Sequence, residues 1–300
     1  MNWAGFKAAV SWTFDDSQPS QIAHYAELQA VGIPMTFYIS SGNSTEAGYD
    51  ATFSQAIQDG HEIGNHTVHH CNATTPLSGC SFGTPAAGAT VTDELTPCNT
   101  YITTHFGQSG VWTGASPFGD TGYDTAASSL FFIYRGVGGG TIGPNDATDP
   151  YNLPIHLAAS GETAASFNTA TDQAQTGGRW LIFLIHTILP TTANWYNPVQ
   201  ITDVTGGMMH GQQLGDVWMD TLENVGAYWR AQKIVSAATP TTSGSAQTWT
   251  WTLPGHFPSG KFLRVTVTGG TLAQSGKTLA WNDHGYYEVA LDAGSLTLSP

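Results

Sequence analysis

The residues best suited to chemistry lie in two short runs. One is His61-Glu62-Ile63-Gly64-Asn65-His66-Thr67-Val68-His69-His70, in which His66 and His70 are spaced i, i+4. On a helical turn that spacing sets two imidazoles on one face. The other is Thr13-Phe14-Asp15-Asp16, which closes an apolar run. Adjacent side chains there diverge, so one carboxylate can ligate while its neighbour takes a proton. Two neutral imidazoles and one carboxylate form a donor set for a divalent cation with coordination positions left open. The helical zinc-protease pattern HExxH is not present, since Glu62 precedes His66 by four. Taken alone, the Asp-Asp pair could cap the following helix and the histidine run could be a solvated turn, each the lesser reading. Together they favour a site.

The elements that must position these groups alternate along residues 8–233. Residues 8–14 (AAVSWTF) read as a buried strand, residues 20–31 as a helix stopped by Gly32, and residues 34–40 (PMTFYIS) as a second strand. A helical stretch ends near Gly60, and further strands are expected at 61–65, 111–114, 130–135 and 180–185, with a last helix over 215–233. Strands separated by helical segments imply parallel pairing. About seven such units in roughly 230 residues fit a barrel better than an open sheet, and in barrels reactive groups gather where strands end. Asp15, Asp16, His66, Pro117 and His186 all fall just past an apolar run.

Composition narrows the partners. The 300 residues carry 8 Lys+Arg and 22 Asp+Glu, a net charge of −14. Such a chain repels phosphate backbones and anionic headgroups, which argues against nucleic-acid and membrane-surface roles. No apolar run approaches the ~20 residues of a membrane span. Residues 236–245 (SAATPTTSGS) read as a linker, dividing a barrel over 1–235 from a period-two β module over 246–300 packed against it. In that module Lys261, Arg264 and Lys277 balance Asp283, Glu288 and Asp292, so the whole excess charge belongs to the barrel. Cys71, Cys80 and Cys98 suit one disulfide with three possible pairings. Clustered cysteines and scarce lysine point to a secreted or periplasmic protein, with its leader outside this sequence.

The motifs resemble those of the polysaccharide deacetylases that share the NodB homology domain (carbohydrate esterase family 4). The family's TFDD stands at residues 13–16, its H-[ST]-x-x-H at 66–70, its R-x-P-[YF]-G in part at 115–119 (ASPFG), and its L-x-H at 184–186. The resemblance implies a distorted (β/α) barrel of NodB type, in the α/β class. It implies Asp16, His66 and His70 as ligands of a divalent metal, usually zinc, Asp15 as general base and His186 as general acid, with the Phe118 backbone N–H at the oxyanion. The expected substrate is an acetylated glycan, of chitin, peptidoglycan or xylan type.

One departure stands out. Where the family has the arginine that orients the base, this chain has Ala115. Of the five cationic side chains in the barrel, Lys7 and Arg179 fall at strand starts and Arg230 and Lys233 on the last helix. Arg135, at the end of strand 130–135, is left as the stand-in that holds Asp15. The family's fourth motif has no confident match, leaving Asp146, Asp149 and the loop 140–154 as candidates to pair with His186. Trp112, Trp195 and Tyr196 are expected near strand ends, where with Pro117 they could contact sugar. Trp249, Trp251 and Trp281 are read as core filling. The alternative from another class is a non-catalytic carbohydrate-binding protein built on a degenerate barrel.

Overall fold

The computed structural model describes residues 1–43, 48–192 and 196–300. Its first part alternates strands and helices: β1 (Ala8–Phe14), α1 (Pro19–Ala23), α2 (Tyr25–Gln29), β2 (Thr36–Ile39), α3 (Asp50–Gln58), β3 (Glu62–Asn65), α4 (Val91–Phe106), β4 (Thr113–Ala115) and α5 (Asp124–Ala127). There follow β5 (Ile133–Gly139), β6 (Leu153–Leu157), α6 (Ala164–Gly177), β7 (Trp180–Ile185), β8 (Ile188–Leu189), β9 (Val199–Gln200), α7 (Ile201–Leu214), β10 (Val217–Met219) and α8 (Leu222–Ala237). Strands β1 to β7 pair in sequence order and β7 returns to β1, closing a seven-stranded parallel barrel. The (β/α) barrel expected from the alternation is therefore present.

Closure is uneven at β1. Its residues 8–10 pair with β10, and Thr13 and Phe14 pair with β2 on the same side. The segment 215–233 is thus not one helix. Three apolar residues, Val217-Trp218-Met219, form a strand against the start of β1 before α8 begins. The expected helix over 20–31 is likewise two short helices broken at His24.

Period-two alternation fixes what each strand sends where. In β7, Leu181, Phe183 and Ile185 join the apolar layer under the helices, whereas Trp180, Ile182 and Leu184 join a second cluster. In β1, Val10, Trp12 and Phe14 face the helix layer, with Trp12 stacked 4.2 Å from Phe183. The barrel interior is apolar along β6 and β7 but polar along β2 to β5, where Thr36, Tyr38, Glu62, Thr113 and Arg135 are all buried. Gly64 matters here: a Cβ at that position would collide with the Tyr38 ring. The glycine thus admits the tyrosine across the barrel.

Beyond α8 lie β11 (Thr241–Ser243), β12 (Ala246–Thr250), β13 (Phe262–Val265), β14 (Thr271–Gln274), β15 (Lys277–Thr278), β16 (Tyr287–Ala290) and β17 (Ser295–Ser299). They make an antiparallel five-stranded sheet and a two-stranded ribbon. The segment 236–245 is more ordered than a linker: α8 runs into it and β11 pairs with β12 inside and beyond it. The module packs on α8, where Tyr228 and Ala231 meet Leu263 and Leu291, and Lys261 pairs with Glu223 at 2.6 Å. Trp251 fills the module's core, but Trp281 is half exposed against Tyr287. Among the described residues, no helix is long and apolar enough to cross a membrane.

Candidate active site

The inward alternation continues past the strand ends and assembles the site. Positions 9, 11 and 13 of β1 lead to Asp15; 62 and 64 of β3 lead to His66; 133 of β5 leads to Arg135; and 180, 182 and 184 of β7 lead to His186. The ladder itself extends this far, since Asp15 N–H donates to Ile185 O (3.1 Å) and His66 N–H to Ile39 O (2.8 Å). Asp16 and Ser17 then turn through left-handed backbone, φ +74° and +51°, which swings the Asp16 carboxylate back over the barrel mouth.

Asp16 Oδ1 lies 3.3 Å from His66 Nε2 and 3.4 Å from His70 Nε2. One ligand atom from each of the three residues falls within 4.8 Å of the others. His66 Nδ1–H donates to Ala115 O at 2.9 Å, so its Nε2 presents a lone pair. Asp16 Oδ1 is buried with no hydrogen-bond donor. An orphaned carboxylate oxygen between two imidazole nitrogens is a poor arrangement for protein alone and a good one for a divalent cation. The residues fit the group that the sequence motifs imply.

The two histidines do not share a helical turn. Residues 67–70 form a loop with Thr67 at φ +69° and His70 at φ +52°, and the rings meet at 4.7 Å because that loop folds back. Burial would raise the Asp16 carboxyl, but His66, His186 and His70 outweigh it and hold it below the usual carboxylate range. Burial, with His66 close by, pushes His70 down to about 4. His66 is raised, the carboxylates of Asp15 and Asp16 overcoming its burial.

Arg135 contacts both oxygens of Asp15 through Nη2 and is fully buried. Its β-carbon neighbour across the strand pair is informative: Ala115 of β4 and Arg135 of β5 stand in register. The guanidinium that holds Asp15 thus comes from the strand beside Ala115, at the same level. The Arg135 Nη1 also donates to Gly136 O at 3.0 Å, and the guanidinium lies 5.1 Å over the Tyr38 ring.

His186 faces the same cavity, its Nε2 4.0 Å from Asp16 Oδ2. Among the described residues no carboxylate reaches its Nδ1, which is buried and unpartnered. Burial lowers its pKa, only partly offset by Asp15 and Asp16. The loop 140–154 does not supply the missing partner. Asp146 accepts from Gly143 N–H and lies 3.4 Å from Arg179, which precedes β7 and so sits at the opposite end of the barrel. Asp149 accepts from Tyr151 N–H in a local turn.

The cavity measures about 460 Å³ and is walled by Phe82, Phe118, Val137, Leu157, Leu184 and Tyr196 around the polar floor. Phe118, at φ +56° and 52% exposed, sets its ring 4.4 Å from His70, and Tyr196 sets its own 5.0 Å from His186. Pro117 is buried and opens the turn over 117–119 without lining the cavity. Trp112 is a correction: it precedes β4, at the far end of the barrel, and packs against the second apolar cluster. Trp195 lies outside the described residues. Sequence reading missed Gln18, whose Nε2 donates to Asp16 Oδ2 (3.3 Å). It also missed Gln21, which donates to the carbonyls of Asp15 (2.7 Å) and His186 (2.9 Å). Their place in the helix-starting run after Asp-Asp was the available signal.

Residues 5–132 match the family model for polysaccharide deacetylase, a span that contains the first three motifs. No curated protein matches the chain. Among solved structures, the T48 deacetylase with substrate is 18% identical over 73% of this chain and 90% of that one, TM-score 0.46. A family 4 acetyl xylan esterase from Clostridium thermocellum, in complex with a cobalt ion, is 15% identical over 72% and 89%, TM-score 0.46. A family 4 pseudoenzyme from Bacillus anthracis is 14% identical over 73% and 65%, also at TM-score 0.46.

Proposed function

We propose that this chain is a metal-dependent hydrolase removing acetyl groups from a neutral glycan, a reading supported by the match of residues 5–132 to the polysaccharide deacetylase family model. The observation that carries the reading is the donor-less Asp16 Oδ1 held between the Nε2 atoms of His66 and His70. Those three side chains would hold a divalent cation, with zinc the favoured ion for two imidazoles and a carboxylate. When bound there, such an ion supplies Lewis acidity toward a water and an acyl oxygen.

The chain's own groups do the rest. Asp15, oriented by Arg135, accepts the proton of the attacking water. The Phe118 backbone N–H donates to the oxyanion that forms at the acetyl carbon, a contribution of about 3 kcal/mol for a well-placed donor. His186 gives a proton to the departing oxygen or nitrogen. Phe118 and Tyr196 offer exposed ring faces to the sugar. The barrel's net negative charge favours a neutral polymer over a polyanion. The disulfide between Cys71 and Cys80 suits a secreted or periplasmic protein, and the β module over 246–300 is read as a small unit docked on the barrel.

A second reading is favoured by one observation, the unpartnered Nδ1 of His186. On it, the barrel binds glycan without cleaving acetyl groups. Acetate release from acetylated xylan and chitin oligomers separates the two. Release that EDTA stops and zinc restores supports the hydrolase; glycan binding with no release supports the binding protein.

A further inference from the structure

His70 is the ligand that its own strand supports least. Its backbone stands at φ +52° and follows Thr67 at φ +69°, conformations that disfavour residues other than glycine and persist only where surroundings enforce them. The main chain is well tied. Thr67 N–H donates to Asn65 Oδ1 (2.7 Å), His70 N–H to Thr67 Oγ1 (2.9 Å), and the buried Glu94 accepts from the His69 N–H (2.7 Å) and pairs with its ring. These bonds fix where the His70 Cα sits and leave the ring to be oriented by something else.

That contact is Ser81, whose Oγ lies 3.1 Å from His70 Nδ1. Ser81 comes eleven residues later, on the far side of the Cys71–Cys80 disulfide. Cys71 directly follows His70 and Cys80 directly precedes Ser81. The crosslink therefore returns the chain to the ligand it has just left. Ser81 N–H then reaches the carbonyls of His69 (3.1 Å) and His70 (3.2 Å), and Tyr123 Oη donates to Cys71 O (2.8 Å), docking the closed loop on the barrel.

We propose that Ser81 is a positioning residue for His70 and that the Cys71–Cys80 disulfide is the clip that holds it there. This rests on the reading of Asp16, His66 and His70 as cation ligands. By accepting from Nδ1–H when Nε2 faces the cation, Ser81 limits rotation of the ring and keeps that Nε2 lone pair aimed at Asp16. Outer-shell partners of this kind are worth roughly 10–100-fold in metal affinity.

The test measures zinc affinity by competition with a chelating dye, and the visible absorption of the cobalt(II)-loaded full chain. Four proteins are compared: unmodified, Ser81→Ala, Ser81→Thr, and the double variant Cys71→Ser/Cys80→Ser. Ser81→Ala is expected to weaken zinc binding at least roughly tenfold and shift the cobalt band, with unchanged circular dichroism. Ser81→Thr, which keeps the hydroxyl, is expected to restore both, and the double variant to weaken binding as Ser81→Ala does. If Ser81→Ala binds zinc like the unmodified chain, with the same cobalt spectrum, the proposal is overturned while the site reading stands. If the unmodified chain binds neither ion, both fall. Should the double variant not fold, the comparison of Ser81→Ala with Ser81→Thr decides alone.

Discussion

Glu62 and Asp16 each have a carboxylate oxygen shut off from solvent, at opposite ends of the same barrel, and they are treated in opposite ways. Glu62, at the start of β3, has its oxygens occupied: Thr36 Oγ1 donates at 2.9 Å, Glu223 N–H at 2.9 Å, and Thr113 Oγ1 adds a short bond. The Glu223 amide opens α8, so Glu62 also sits on that helix's positive end. Asp16, past the end of β1, has an oxygen with no donor and two imidazole lone pairs beside it. A satisfied buried carboxylate closes a barrel; an unsatisfied one waits for a partner. Burial alone does not distinguish structure from function, but the inventory of donors does.

The two ends communicate through one polar column. Arg135 holds Asp15 at the mouth and lies over the Tyr38 ring, Tyr38 Oη meets Thr113 Oγ1 at 2.9 Å, and Thr113 reaches Glu62. Arg135, in register with Ala115, is thereby backed by an interior in which Gly64 leaves room for the Tyr38 ring.

Mutations at the two ends should separate. Asp15→Asn is expected to lower the rate of acetate release by the folded protein on the order of 10²–10⁴-fold, and, by leaving the buried Arg135 guanidinium uncompensated, to lower stability as well. Acetate release by the folded variant at the unmodified rate would erase the distinction drawn here. Glu62→Ala leaves three donors unanswered and should cost roughly 3–5 kcal/mol in urea unfolding, with zinc affinity retained where the chain is folded. Loss of zinc binding in the folded variant would show that Glu62 belongs to the site. Gly64→Ala, by displacing Tyr38 from beneath Arg135, should lower kcat roughly tenfold with KM little changed. Unaltered kcat would mean that the column does not support Asp15.

A further difference is in pH. Burial, reinforced by Glu223, raises the Glu62 carboxyl from 4.5 to about 7. The folded state thus binds this proton more tightly than the unfolded chain. Glu62's contribution is whole below 4.5 and fades as pH rises toward 7. Compared with Glu62→Gln, the unmodified chain should lose urea stability between pH 5 and pH 7. Parallel stability curves for the two proteins would place the raised proton affinity elsewhere.

The site's legibility in sequence followed the same divide. Residues 8–14 and 180–185 read as strands at the bounds observed, because a strand buried on both faces is a continuous apolar run. β6 escaped notice because Pro154 interrupts it, and β5 extends past 135 into glycines that carry no side-chain signal. Val217-Trp218-Met219 is too short for periodicity to tell strand from helix. His66 and His70 come together through a folded loop instead of the helical turn that an i, i+4 spacing suggests. Arg135 could be singled out because cations are so scarce in this chain, eight in 300 residues. Ser81 could not, since its return to His70 depends on which cysteines pair, and three pairings were open.

The central claim is that Asp16, His66 and His70 share one divalent cation. Diffraction collected on both sides of the zinc absorption edge, from crystals of the unmodified chain grown with zinc, tests it most directly. The account predicts one dominant anomalous peak within bonding distance of Asp16 Oδ1, His66 Nε2 and His70 Nε2, lost in Asp16→Asn. Zinc bound elsewhere, or a barrel mouth that stays without anomalous signal, would contradict it.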